Sequence, residues 1–194
     1  MPENITDERL LDRASRGDET AFLLLYERHR NRVFRFAYRL LGSIELAEDV
    51  THDCFLSLIK QPRRFDPTRS SLGTYLYAAA RNLALKHFRH PHNETTIEDA
   101  QEELHACVEE PLQKLLDEEL STHVRRAIAS LPPLQREALI LFEYEELSLA
   151  EIAAIVEADV GVVKSRLHRA RERMRRLLAP YFKSDSRLIA ARKY

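Results

Sequence analysis

Ser148-Leu-Ala-Glu-Ile-Ala-Ala-Ile-Val-Glu-Ala-Asp-Val-Gly-Val-Val-Lys-Ser-Arg-Leu-His-Arg-Ala-Arg171 decides the fold. Its first four residues have capping-box spacing: the Ser148 hydroxyl can accept from the Glu151 amide, and the Glu151 carboxylate can reach back to the Ser148 amide. A short helix then carries Leu149, Ile152, Ala153 and Val156 inward. Glu157 to Val160 reads as a tight turn, and a longer helix begins near Gly161. Its apolar positions, Val163, Leu167, Ala170, Met174, Leu177 and Leu178, fall on one narrow stripe at ~100° per residue. Gly161, Lys164, Ser165, His168, Arg169 and Glu172 lie on the other side. From Lys164 to Arg176 there are seven Lys/Arg against one acid. These features make a helix-turn-helix over residues 148–178, whose second helix would enter a DNA major groove. There lysine and arginine can bond guanine or phosphate, and serine and histidine can reach base edges or backbone. The alternative is an ordinary helical hairpin with a basic solvent face, and the density of cations argues against it.

Upstream, Pro132-Pro133 stops one helix and starts the next, because proline suits a first helical turn. Leu134 to about Leu147 is the helix after it. Before it, Leu112, Leu115, Leu116, Leu120, Val124, Ile128 and Leu131 give an apolar stripe. Residues 93–111 are polar and acidic with little periodicity. They are long for a loop inside one domain, so they read as a linker.

The N-terminal half also has helical periodicity. Asp18 is placed to cap a run in which Phe22, Leu25, Tyr26, Val33, Phe36, Ala37, Leu40 and Leu41 recur at steps of three and four. Gly42 ends that run and Ser43 can cap the next, from about Ile44 to Ile59. A turn-like stretch from Phe65 to Gly73 precedes a third helix, from about Thr74 to Phe88. With Gly at 4 and Trp at 0 in 194 residues, strong helix formers dominate. The expected fold is all-α: two small helical domains joined by an acidic linker, the C-terminal one a helix-turn-helix. The boundaries are 1–92, 93–111 and 112–183, with a tail at 184–194.

The net charge of −1 hides a block pattern. Lys60 to His92 carries seven Lys/Arg and one acid, Asp66; Asn93 to Pro111 carries seven Asp/Glu and no Lys or Arg. Gly161 to Tyr194 carries eleven Lys/Arg against Glu172 and Asp185. Two basic surfaces separated by acid suggest two contacts with a polyanion, the alternative being clustered solvated faces. Cys54 and Cys107 have no metal or redox spacing. His87, His90 and His92, or His105 with Cys107, lack a matched second ligand pair, so no metal is expected. There is no Gly-rich phosphate loop and no evident nucleophile–base pair. An enzyme, a cofactor or a small-molecule substrate is therefore not expected. The N-terminus lacks a basic start followed by an apolar core, and no apolar run approaches membrane-spanning length.

Three stretches of the C-terminal half resemble one family: Leu131-Pro-Pro-Leu-Gln-Arg-Glu-Ala, Leu147-Ser-Leu-Ala-Glu-Ile-Ala and Val160-Gly-Val-Val-Lys-Ser-Arg-Leu-His-Arg-Ala-Arg. In the N-terminal half, Ala47-Glu-Asp-Val-Thr-His-Asp-Cys-Phe-Leu, Arg64-Phe-Asp and Thr74-Tyr-Leu-Tyr-Ala-Ala-Ala-Arg-Asn-Leu-Ala do the same. The chain resembles an extracytoplasmic-function (group IV) RNA polymerase sigma factor, over roughly residues 8–180. The resemblance implies binding to core RNA polymerase, −35 recognition by the C-terminal domain and −10 melting by the N-terminal one.

On that resemblance Lys164, Ser165, Arg166, His168 and Arg169 face the −35 element. Arg69, Ser70, Ser71 and Tyr75 hold a flipped base, and Arg81, Asn82, Lys86 and Arg89 read the −10 region. Melting calls for cations, small polar donors and aromatic surfaces, which these residues supply; Tyr77 fits core packing better. Glu48, Asp49, Asp53 and Phe55 dock on the polymerase, with Glu45 on the same acidic face. The implied partners are core RNA polymerase, promoter DNA and an anti-sigma factor. The implied location is the cytoplasm, where an anti-sigma factor could hold the chain at the inner membrane. A helix-turn-helix repressor and a sigma-like decoy for an anti-sigma factor are the rivals. The sequence departs from the family pattern at Tyr75 and within Leu56-Ser-Leu-Ile59, where tryptophan is usual. In the turn, Ala158 and Val160 replace Gly and Pro, and a left-handed backbone at Ala158 would be strained.

Overall fold

A computed structural model describes the backbone of residues 5–89 and 121–191, and the side chains of 5–87 and 121–181. Every described element is helical. In chain order they are α1 (Asp7–Ser15), α2 (Glu19–Leu41), α3 (Ile44–Lys60), a 3-10 turn (Pro62–Arg64) and α4 (Leu72–Arg89). Then come α5 (121–129), α6 (Pro133–Glu143), α7 (Leu149–Val156) and α8 (Val160–Ala191). The acidic linker expected at 93–111 lies outside the described residues.

Several helices start where a side chain can satisfy their free amides. Asp18 accepts from the Ala21 amide at 3.0 Å and Ser43 from the Leu46 amide at 3.2 Å. The Ala21 bond holds the Asp18 carboxyl below its ordinary range, with Arg13 adding to the effect. Gly42 closes α2 in the left-handed region (φ 76°), where a side chain would be strained. α1 is an element that periodicity over a longer window misses. Its signals are short: Thr6 accepts from Arg9, Asp7 and Glu8 occupy the first turn, and Leu10, Leu11 and Ala14 are buried. Asp7 fastens α1 to α2 by bonding Arg28 and the His29 ring nitrogen.

The first four helices share a core of Leu10, Leu25, Phe36, Leu40, Phe55, Leu58, Leu72 and Leu76, each at most 1% exposed. Tyr77, 5% exposed, sits edge-on to Phe36 at 5.4 Å, as the core-packing reading expects. In the C-terminal half Leu131, Ile140, Leu141, Ile152, Val163 and Ala170 form the centre. Of the expected α8 stripe, Leu177 departs: it is 39% exposed, while Leu178 one position on is buried. α6 ends at Glu143, earlier than Leu147, because Glu146 turns into the left-handed region (φ 54°). α8 continues through Pro180 to Ala191. The two halves pack on one another, α2 against α6 and α4 against α7.

Candidate nucleic-acid interface

The helix-turn-helix is assembled from its cap outward. The Glu151 amide bonds the Ser148 hydroxyl at 3.3 Å, and the Ser148 amide bonds the Glu151 carboxylate at 2.9 Å. The Ser148 hydroxyl and amide hold the Glu151 carboxyl below its ordinary range, the hydroxyl contributing most. α7 buries Ile152, Ile155 and Val156. Ile155 joins the expected inward set, while Leu149 and Ala153 are half-buried against the same core.

The turn corrects the expectation at Ala158. The left-handed residue is Glu157 (φ 51°), and the Ala158 amide donates to the Ala153 carbonyl at 3.1 Å in an ordinary conformation. The strain therefore sits one residue earlier, on an exposed side chain. Glu157→Gly is expected to raise stability by about 1 kcal/mol, because glycine enters this region without the Cβ penalty. Thermal unfolding of the chain would register it as a shift of a few degrees. An unchanged or lower midpoint would show that Glu157 is not strained.

α8 begins at Val160, where the Val162 and Val163 amides donate to the Asp159 carbonyl. Val163, Leu167 and Ala170 anchor it. Lys164, His168 and Arg169 are exposed, and Ser165 is half-buried and accepts from Arg169 at 2.9 Å. Arg166 behaves differently. Its guanidinium turns inward to the fully buried Glu137 carboxylate at 3.3 Å. In this arrangement Arg166 positions the helix, and the outer face is carried by Lys164, His168 and Arg169.

The second surface is built on the loop before α4. Asp66 accepts from the Thr68 amide at 2.9 Å and hydroxyl at 2.7 Å, which closes the turn and lowers its own carboxyl. Ser71 caps α4, accepting from the Thr74 amide at 3.2 Å. Arg69 and Ser71 are exposed, and Ser70 is half-buried. The half-buried Tyr75 ring stands edge-on to Phe65 at 5.6 Å, and burial raises its hydroxyl above the ordinary value. Asn82 and Lys86 lie further along α4, Asn82 exposed. Arg81 is 8% exposed and donates to Glu137 at 2.8 Å. Arg89 ends α4, its side chain lying outside the described set.

The third surface is the outer side of α3, where Glu45, Glu48, Asp49, His52 and Asp53 are all exposed. Among the described residues Glu48, Asp49 and Asp53 enter no ion pair; their row is uncompensated negative charge. A polymerase contact at Phe55 is corrected. That ring is 1% exposed and packs edge-on against Tyr26 at 4.9 Å, so it supports the acidic face from beneath. Of the histidines weighed as metal ligands, His87 is exposed, and His90, His92, His105 and Cys107 lie outside the described residues.

Two family models match the chain, one in each half. Residues 25–93 match the family model for Sigma-70 region 2, and residues 122–174 match that for Sigma-70 region 4. The chain is 37% identical over 183 residues to the ECF RNA polymerase sigma-E factor of Escherichia coli K12, covering 89% of this chain and 94% of the relative. The chain belongs to the extracytoplasmic-function RNA polymerase sigma factors. It is also 34% identical to the RNA polymerase sigma-H factor of Pseudomonas aeruginosa, over 90% of this chain and 94% of that one.

Among solved structures it resembles the sigma factor RpoE in complex with the anti-sigma factor NepR from Bartonella quintana. That match has a TM-score of 0.64 and 25% identity, and covers 81% of this chain and 96% of that one. CnrH, solved in complex with the cytosolic domain of CnrY, shares the fold at a TM-score of 0.66 and 23% identity, over 90% and 97% of the two chains. This sigma factor binds core RNA polymerase and promoter DNA and directs transcription initiation. Among the described residues no helix is long and apolar enough to cross a membrane.

Proposed function

We propose that this sigma factor divides its work between a region 2 domain at 1–92 and a region 4 domain at 112–183, joined by the linker at 93–111. Glu48, Asp49 and Asp53 dock on a basic polymerase surface. Lys164, His168 and Arg169 read the −35 element, aided by Ser165 and positioned by Arg166. Arg69, Ser70, Ser71 and Tyr75 hold an unpaired −10 base, while Asn82, Lys86 and Arg89 line the strand; Arg81, assigned to the same strand by the resemblance, is bonded inward to Glu137 and positions α4. The observation that carries this reading is the separation of charge: an exposed acidic face on α3, and cations on α8 and on the loop and helix at α4. It acts in the cytoplasm as a binding protein and catalyses no reaction itself.

We also infer regulation by an anti-sigma factor, since the similar RpoE is held in complex with one. The direct test is transcription in vitro from a promoter library with core RNA polymerase. Adding the chain is expected to produce specific starts, and failure to start any transcript would sink the reading. Binding to a palindromic operator as a dimer without polymerase would favour the repressor instead.

A further inference from the structure

Two of the chain's four glycines are set by the backbone: Gly17 and Gly42 take positive φ, 94° and 76°, where a side chain would be strained. Gly161, in the first turn of α8, is different. Its φ is not in that region, and it is exposed. A Cβ built on it would meet no described atom within 4 Å. The folded chain therefore has room for a side chain at 161 and would gain from one, because glycine is the weakest helix former after proline. Its neighbours are also odd for an outer helix turn. Val160 and Val162 are large apolar side chains left 38% and 41% exposed, and β-branching makes valine a stiff, second-rate helix former. Helix stability and core packing favour none of these three choices.

Their place on α8 explains them. With ~100° per residue, Gly161 falls within about 40° of both Ser165 and His168, one and two turns ahead of them. Val162 falls within about 20° of Arg169 on the same count. The Val-Gly-Val step thus opens the face on which Lys164, His168 and Arg169 stand exposed. The apolar group that a base pair offers in the major groove is the thymine 5-methyl. A bare glycine beside an exposed valine makes a shallow apolar seat of matching size.

We propose that the first turn of α8 reads a thymine in the −35 element through its 5-methyl, with Val162 making the contact and Gly161 letting the helix sit deep enough for it. The cations further along supply bonds to base edges and phosphates, and this step supplies discrimination by shape. Residue 161 is then glycine because of the DNA, at a cost to the free helix. The proposal rests on the assignment of α8 to the −35 element made above.

The test uses the full chain assembled with core RNA polymerase, and a duplex selected by that holoenzyme from a randomised pool. Each thymine of the duplex is replaced in turn by deoxyuridine, which removes only the 5-methyl. At one thymine the unsubstituted holoenzyme is expected to lose about fourfold in affinity, the factor that one buried methyl is worth. Holoenzyme carrying Val162→Ala is expected to bind the thymine duplex more weakly and to lose nothing further on uracil. Gly161→Ala is expected to weaken binding on the order of tenfold, as overfilling a close contact does. Its unfolding midpoint, measured on the free chain, is expected to hold or rise. A purely structural glycine would move both readouts down together. No uracil effect at any thymine, a uracil effect that Val162→Ala retains, or full affinity in Gly161→Ala would each overturn the proposal, as would a fall in the Gly161→Ala midpoint. Lys164→Ala and Arg169→Ala are measured alongside. If they weaken binding while Gly161→Ala and uracil do not, the −35 assignment of α8 stands and the thymine seat falls. If none of them weakens it, the assignment itself falls.

Discussion

Changing Glu48, Asp49 and Asp53 of α3 together to lysine is expected to abolish binding to core RNA polymerase while leaving the fold intact. The three side chains are exposed and contribute no ion pair among the described residues, so the folded chain loses no salt bridge when they change. The core beneath them (Val50, Cys54, Phe55 and Leu58) is untouched. Each substitution removes an attraction to a basic partner and adds a repulsion, and like-charge juxtaposition at an interface costs several kcal/mol. The affinity should fall roughly a thousandfold or more, since each ~1.4 kcal/mol is a factor of ten. Fluorescence anisotropy of the labelled factor titrated with core polymerase would measure it. An unchanged affinity would place the docking surface elsewhere. Glu45 is left out by design, because it accepts from the Ser43 hydroxyl at 2.7 Å and takes part in the α3 cap.

The second large effect is expected at the −35 element. Lys164 and Arg169 are exposed on α8, held out by the buried Val163, Leu167 and Ala170. A base-reading arginine or lysine is worth ~1–3 kcal/mol, so each alanine change should weaken duplex binding by that amount. Unlike Arg166, neither is tied to a buried carboxylate, and their effects should be nearly additive. The double variant should then bind a −35 duplex roughly a hundredfold or more weaker, and binding isotherms at fixed salt would measure it. Equal loss on scrambled duplexes would recast both as phosphate contacts, and no loss at all would mean that α8 presents a different face.

Much of this architecture is legible in the sequence alone. Asp18, Ser43 and Ser148 mark helix starts and Gly42 marks the end of α2, because capping is local chemistry that a few residues determine. The acidic face of α3 and the cationic face of α8 follow from period and charge. Pairing between distant residues is what the sequence hides. Nothing in the spacing of Arg81, Glu137 and Arg166 says that they meet, because contact between residues far apart in sequence is set by how the helices pack. Phe55 is assigned to the docking surface by the resemblance alone, and its contact with Tyr26 on α2, which the spacing does not reveal, decides that it is covered. The strained position in the turn falls one residue before the expected one because it depends on where α7 ends. α1 is too short to reveal itself by period.

Cys54 carries a consequence for signalling. Its thiol is buried between α3 and α4, donates toward the Leu76 carbonyl at 3.5 Å and is pushed up to about 12 by burial. Peroxide and electrophiles react with thiolate, and at neutral pH only on the order of one such thiol in 10⁵ is ionised. The interior of the N-terminal domain is therefore deaf to oxidants. A peroxide signal that alters this factor through a cysteine must arrive by way of Cys107, outside the described residues, or through a second protein that does the sensing.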